Sequence, residues 1–234
     1  FLQGWPSNNN GGFNIGTGLG SLGPIRVDPG SATFAPIAST SASLTGNLNA
    51  SDPTGTSFTS TIGVFDSVGA TNNVDFAFTK NAALNTWDLV VSSPVGTVTA
   101  GSPATVTFDA TGALIAPTTP TINIAWANPA AAASTVAVDI SNISQFASLS
   151  FQQSALANGN PVGTLTSTRI NGNGEIEGFF SNGRSRGIFK LPIATVRNTA
   201  ALDARSGTHF AAGVGTGAIT LLQADLSQIA GIVE

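Results

Sequence analysis

The chain has 234 residues, 9% of them charged, with eight Lys and Arg against twelve Asp and Glu for a net charge of −4, and it contains no Cys, Met or Tyr. Zero cysteines exclude a disulfide framework, a thiolate metal site and a cysteine nucleophile, and the single imidazole, His209, excludes multi-His metal centres and His-paired acid–base schemes. So sparse and acid-leaning a set of charges argues against a nucleic-acid partner, which needs a concentrated basic face. No apolar run reaches the ~18 residues of a membrane-spanning helix. No charged and apolar leader opens the chain, and a start at Phe1-Leu2-Gln3 points to an excised fragment or mature product. Gly (27), Thr (28) and Ser (24) are abundant, yet 41% hydrophobic residues in short alternating runs indicate a packed core rather than disorder.

Along the chain, residues 7–23 read as a Gly- and Asn-rich loop or ribbon with little core, and Ala35–Ser43 has linker composition. Period-two runs of β-branched and aromatic residues, closed by Gly, Asn or Asp, then predict strands. Thr61–Phe65 ends in the turn Asp66-Ser67-Val68-Gly69, with Asp first and Gly last. Val74–Phe78 alternates and is expected to pair with Trp87–Val91; Thr105–Phe108 runs into a second such turn, Asp109-Ala110-Thr111-Gly112, and Thr121–Trp126 is a further strand. A short helix is expected at Ser141–Gln153, a second linker at Ala155–Gly163, and another short helix around Leu221–Ile229. Between the last two, runs over 163–170, 175–180 and 187–193 are punctuated by Asn171-Gly172-Asn173-Gly174 and Ser181-Asn182-Gly183, predicting a three-stranded meander with primed hairpin turns.

Residues 1–154 hold two cations and seven aspartates, residues 155–234 six cations and five anions. This split and the paired linkers predict an all-β chain of two sandwich- or barrel-like domains. An outer domain over 40–150 is inserted into a discontinuous one built from 1–39 and 151–234.

Residues that could carry chemistry are few. Gly16-Thr17-Gly18-Leu19-Gly20 lacks the preceding strand and following Lys-Ser/Thr of a phosphate loop. Asn171–Glu175 lacks the aspartates and distal Glu of a calcium loop. Glu175 and Glu177 share one strand face, whereas paired glycosidase acids come from different elements flanking a cleft. His209 with Asp203 or Asp225 has no Gly-x-Ser-x-Gly elbow nearby. Trp5, Trp87 and Trp126 are too dispersed for a sugar-stacking platform, and Asn49-Ala50-Ser51 and Asn142-Ile143-Ser144 match a glycosylation triplet that is common by chance. Arg184, Arg186, Lys190 and Arg197 form the basic cluster. Arg184 and Arg186, beside a tight turn, suit a carboxylate on another surface; a solvated hairpin tip and a subunit contact are the two readings of that pair. No catalytic, cofactor-binding or metal-ligating residue is assigned, and no cofactor is expected.

The motifs, taken in order, resemble bacterial flagellar hook proteins. Leu2-Gln3-Gly4-Trp5-Pro6 with Leu22-Gly23-Pro24-Ile25 is similar to the segment leading into the outer domains of that family. Thr45-Gly46-Asn47-Leu48-Asn49 is similar to its G-N-L strand, and Val64-Phe65-Asp66-Ser67-Val68-Gly69 to its V-Y-D-S-L-G turn with Phe for Tyr. Phe78-Thr79-Lys80, Asn85-Thr86-Trp87, Phe108–Leu114, Val162–Leu165, Asn173–Ile176, Phe180–Gly183, Ile193-Ala194 and Asn198 follow in the same order. Leu202-Asp203-Ala204-Arg205 departs from the family pattern, and the family's terminal helices are missing.

The resemblance implies a non-enzymatic structural subunit of the curved extracellular tube that joins motor to filament as a universal joint, exported by the flagellar type III apparatus. Its implied partners are copies of itself in a helical tube and other axial proteins of the rod, hook–filament junction and hook cap, with no nucleic acid and no membrane insertion. Another axial protein, of the distal rod or hook-associated class, and a carbohydrate-binding or adhesive β-module are the alternatives. Without heptad-bearing helices, the fragment is expected to be monomeric at micromolar concentration.

Overall fold

Alternating β-branched and aromatic residues stack on one side of a pleated strand, and strands are what these runs form in the computed structural model, which describes residues 2–8, 12–28 and 32–224. Two compact units result, one of Phe1–Phe34 with Gly163–Glu234 and one of Ala35–Val162. Three short strands come first: β1 (Gln3–Pro6), β2 (Gly23–Pro24) and β3 (Thr33–Phe34). The inserted unit begins with β4 (Ser41–Asn47), β5 (Ser57–Phe65), β6 (Thr71–Lys80), β7 (Thr86–Ser92) and β8 (Gly96–Ala100). It continues through β9 (Ala104–Phe108), β10 (Leu114–Ala116), β11 (Thr121–Trp126), β12 (Ser134–Asp139), β13 (Ile143–Ser144) and β14 (Phe151–Ala157). The chain returns as β15 (Gly163–Ile170), β16 (Glu175–Phe180), β17 (Ser185–Lys190), β18 (Pro192–Thr195), β19 (Leu202–Ser206), β20 (His209–Ala212) and β21 (Thr220–Gln223). The helices among the described residues are two single 3₁₀ turns, so the fold is all-β.

The inserted unit is a sandwich. One sheet has the order β10-β9-β7-β6-β5; the other has β13-β4-β12-β11-β8, with β14 added along β4. Val74, Phe76 and Phe78 on β6 alternate inward beside Leu89 and Val91 on β7, in the register Phe76↔Val91 and Phe78↔Leu89. They close on Ala42 and Leu44 of β4, Ile122, Ile124 and Trp126 of β11, and Val136 and Val138 of β12 in one buried cluster. Each large side chain so buried is worth roughly 1.5–3 kcal/mol. The buried indoles keep their N–H groups satisfied, Trp87 by Gln145 Oε1 at 2.8 Å and Trp126 by Ser134 Oγ at 2.9 Å.

Apart from Gly163, both linker-like stretches belong to this unit, and they pair with one another. Leu156 and Ala157 lie opposite Ser43 and Ala42, and an isolated bridge joins Ile37 to Asn160. Their small residues reflect crowding, since Ala42, Ala155 and Ala157 face or pack against the core and a Cβ on Gly159 would come within 2.5 Å of the Ile37 carbonyl. The divisions therefore fall at 34/35 and 162/163, and the expected 39/40 and 150/151 both lie inside the inserted unit.

The expected helix over Ser141–Gln153 is absent. Ile143–Ser144 runs parallel to Gly46–Asn47, and β14 begins at Phe151. The cause is Asn47, a buried side chain whose Nδ2 donates to the carbonyls of Phe146, Ser148 and Leu149 at 3.2–3.3 Å while its Oδ1 accepts the Phe146 amide at 2.8 Å. A single amide thus binds backbone groups that a helix would use internally. Near the C-terminus, Leu221 lies in β21 rather than in a helix, and 225–229 falls outside the described residues.

In the discontinuous unit the main sheet is ordered β2-β1-β17-β16-β15-β3, with β18–β21 and β19–β20 as separate ribbons. The meander is β15-β16-β17, but its turns are not primed. At 171–175 the positive φ belongs to Gly174 (+69°), whose N–H donates to the Asn171 carbonyl at 3.0 Å while Asn171 N–H donates to the Glu175 carbonyl at 2.9 Å. Gly183 (φ +75°) repeats this between Phe180 and Arg184. The pattern is a type I turn ending in a left-handed glycine, the three-residue hairpin solution. Trp5, Leu165, Ile176, Phe180 and Leu221 are its buried apolar residues among those described.

Candidate interaction surface

The turn motifs share one construction. Asp66 Oδ1 accepts the amides of Val68 and Ala70 at 3.0 and 2.9 Å, Asp109 Oδ1 those of Thr111 and Ala113 at 2.8 and 2.9 Å, and Asn171 Oδ1 those of Asn173 and Glu175 at 3.0 Å. Each side chain satisfies amides that the turn leaves without ladder partners. Gly69 (φ +88°) is required twice over, because a Cβ there would also lie 2.8 Å from Pro36 Cβ. Gly46 is required by approach alone: its Cβ would stand 2.2 Å from the Phe151 carbonyl.

Arg184 and Arg186, read as one contact pair, have different surroundings. Arg186 donates Nη2 to the Thr33 carbonyl at 2.9 Å, and its guanidinium lies 5.6 and 5.5 Å from the ring centroids of Phe34 and Phe180, which meet edge to face at 5.4 Å. It fastens β3 to the meander. Arg184 sits in the turn before β17, exposed, its amide on Asn182 Oδ1 at 3.1 Å. Lys190 is buried against Glu175 at 3.4 Å and the Phe13 ring at 5.9 Å, and Arg169 pairs with Glu177 at 2.9 Å. Both glutamates are thus taken by cations on neighbouring strands. Among the described residues Arg26, Arg184, Arg197 and Arg205 are exposed and join neither of these ion pairs.

The remaining candidates are occupied structurally. His209 Nδ1 lies 3.1 Å from the Ser206 carbonyl across its own hairpin; Asp203 stands opposite Ala211, and Asp225 lies outside the described residues. The Gly16–Gly20 loop folds over Trp5, whose indole N–H donates to the Gly16 carbonyl at 3.2 Å and Ser21 Oγ at 3.0 Å. All three tryptophans are buried, so none offers a stacking surface. Asn49 binds Asp52 Oδ1 at 2.8 Å.

Sequence reasoning missed Gln145 as the centre of a buried polar cluster. Its Oε1 accepts from Trp87 Nε1 and, at 3.5 Å, from Lys80 Nζ; its Nε2 donates to Asn85 Oδ1 at 3.1 Å. Lys80 also lies 5.0 Å from the Trp87 ring centroid, and burial holds its ammonium below the ordinary lysine range, opposed in part by Asp52. Hydrogen bonds, first from the Thr111 side chain, hold Asp109 below the usual carboxylate range, and those from Ser141 do the same for Asp139. The only foreshadowing was the closeness of Lys80, Asn85 and Trp87 in sequence. Among the described residues no cluster of metal-ligating side chains occurs and no helix is long and apolar enough to cross a membrane.

Residues 33–160 match the family model of the flagellar basal body protein FlaE D2 domain. Over 203 residues the chain is 28% identical to the flagellar hook protein FlgE of Rhizobium meliloti (strain 1021), covering 84% of this chain and 50% of that protein. Among solved structures, it is 18% identical to the Helicobacter pylori flagellar hook protein FlgE2 (TM-score 0.38, 71% of this chain and 36% of that one). To the 32 kDa fragment of FlgE from Caulobacter crescentus it is 20% identical (TM-score 0.34, 43% and 46%). The chain spans about half the length of the curated relative it matches.

Proposed function

Because this chain belongs to the family of the flagellar basal body protein FlaE D2 domain, we propose that it is the outer part of a structural subunit of the bacterial flagellar hook, working outside the cell as a mechanical joint. The observation that carries this reading is the coincidence of the matched residues, 33–160, with the inserted sandwich, 35–162. Copies of the same chain and other axial proteins are its partners. The role is architectural, with no catalysed reaction.

A joint that turns while bent lengthens and shortens every protofilament once per revolution. Its outer contacts must therefore break and reform cheaply. The sandwich faces suit that: Thr59 on β5, Thr97 on β8, Thr121 on β11 and Thr135 on β12 are exposed hydroxyl-bearing residues. Such groups exchange water-mediated contacts at little cost, where fixed ion pairs would favour one register. Arg184, exposed at the end of the meander, is a subunit contact in this reading; Arg186 takes part by holding β3 and the turn in place. An antibody raised against the chain should decorate hooks in negatively stained flagella. Labelling of rods, of the hook–filament junction or of the general cell surface would overturn the proposal in favour of another axial protein or an adhesin.

A further inference from the structure

The hairpin β19–β20 is amphipathic the wrong way round. Leu202 lies opposite Ala212 and Ala204 opposite Phe210, so these four apolar residues share one face. That face is open to solvent: Ala204 and Ala212 are exposed and Phe210 is 63% exposed. An antiparallel ribbon ordinarily packs its apolar side and wets the other, and a two-stranded hairpin alone is at best marginally stable in water. Arg205 projects from the bulge between Ala204 and Ser206, exposed and outside both ion pairs among the described residues.

A complementary surface lies on the sandwich. A depression of about 320 Å³ is lined by Gly112, Leu114, Asn142, Ile143 and Phe146, with Phe146 itself 55% exposed. Two of its walls are turns that start at carboxylates, Asp109, which takes the Thr111 and Ala113 amides, and Asp139, which takes the Ser141 amide at 2.9 Å. Residues 35–162 hold six aspartates and one cation, and that cation, Lys80, is committed to Trp87 and Gln145. A depression with Leu114, Ile143 and Phe146 in its lining, bounded by turns that begin at the carboxylates Asp109 and Asp139, matches an apolar hairpin with a basic shoulder. We infer that the β19–β20 hairpin of one copy docks in this depression on a second copy, Phe210 against Leu114 and Phe146 and Arg205 toward Asp109 and Asp139.

The inference rests on the subunit reading above. Since hairpin and depression are different surfaces, the contact is head-to-tail and does not close on itself, so it propagates from copy to copy. Four apolar side chains bury less than the ~1,200 Å² of a stable interface. The contact is therefore weak for free chains and becomes populated when neighbours are held at millimolar effective concentration.

The absence of cysteine makes the test direct. Ala204→Cys chains and isotopically heavy Asn142→Cys chains, mixed at about 0.5 mM and mildly oxidised, should form the mixed dimer about tenfold faster than Ala204→Cys with Thr97→Cys on the far edge strand β8. Adding Phe210→Ala to the first chain should remove the advantage. Arg205→Glu, an exposed change that leaves the apolar face intact, should reduce it severalfold. About 0.5 M NaCl should slow the original pair but not the Arg205→Glu pair. Equal rates for the Asn142 and Thr97 partners, or a rate indifferent to both Phe210→Ala and Arg205→Glu, would overturn the contact. Antibody-decorated hooks that lack the cross-link would sink this inference alone; the cross-link with labelling elsewhere on the cell would sink the hook reading alone.

Discussion

The inserted sandwich and the discontinuous unit are of similar length but are held together differently. The first encloses twenty buried apolar side chains in one cluster; the second has five among its described residues. Conformational entropy, at ~1–2 kcal/mol per ordered residue, is of similar size for both, so the sandwich has several times the hydrophobic gain against the same opposing cost. Seven of the eight cations lie in the poorer unit. There Arg186, Arg169 and Lys190 cover the rings of Phe34, Phe180, Phe179 and Phe13. Where alternation leaves little to bury, cations lying over aromatic faces add contact and attraction. One chain thus carries a domain held by a large apolar core and a second held by few buried apolar residues and by cations over aromatic rings.

The largest expected effect lies in the sandwich core. Trp87→Ala should cost the sandwich ~3–5 kcal/mol, read as an earlier urea transition for probes within 35–162. If the probe on Trp5 moved equally, the two units would be one cooperative body. Gly46→Ala should follow at ~1–3 kcal/mol, by forcing β14 away from β4; calorimetry showing no loss would mean the strand shifts freely. Asn47→Ala leaves the Phe146 amide and the Phe146, Ser148 and Leu149 carbonyls without their partner. It should cost ~1–3 kcal/mol and speed proteolysis between 144 and 151.

Three titratable groups tie the sandwich's stability to pH. Asp109 and Asp139 have folded pKa values below the ordinary 3.8, so the stability they contribute is complete above that value and is lost as pH falls through the folded ones. Lys80 is lowered from 10.5 by burial, so the unfolded chain binds the extra proton and stability rises as pH climbs through the folded pKa toward 10.5. Asp139→Asn should flatten the acid limb of the sandwich transition, and Lys80→Met should flatten the alkaline one. An unchanged profile would mean that these groups titrate alike in both states. The smallest effect belongs to Arg169→Ala: its pair with Glu177 is two-thirds exposed on the arginine side, and its loss should stay within ~1 kcal/mol.

What the amino-acid order determined by itself is local. Period-two alternation specifies strands 57–65, 71–80, 86–92, 104–108 and 121–126, because each residue's face follows from its neighbours. Asp or Asn three positions before Gly specifies the turns at 66–69, 109–112 and 171–174, because one side chain and one left-handed residue close them. Tertiary structure decided whatever depends on distant partners. The segment 141–153 carries some helical character, but Asn47, some hundred residues away in sequence, claims its backbone groups. Composition marks 35–43 and 155–163 as linkers, yet their small residues allow two crowded strands to pair. Arg186 reads as a surface charge until Thr33 and Phe34, 153 and 152 positions earlier, arrive to receive it. A strand's face is set by what stands next to it in the chain; its partner, and the work left for its polar side chains, is set by what the fold brings back.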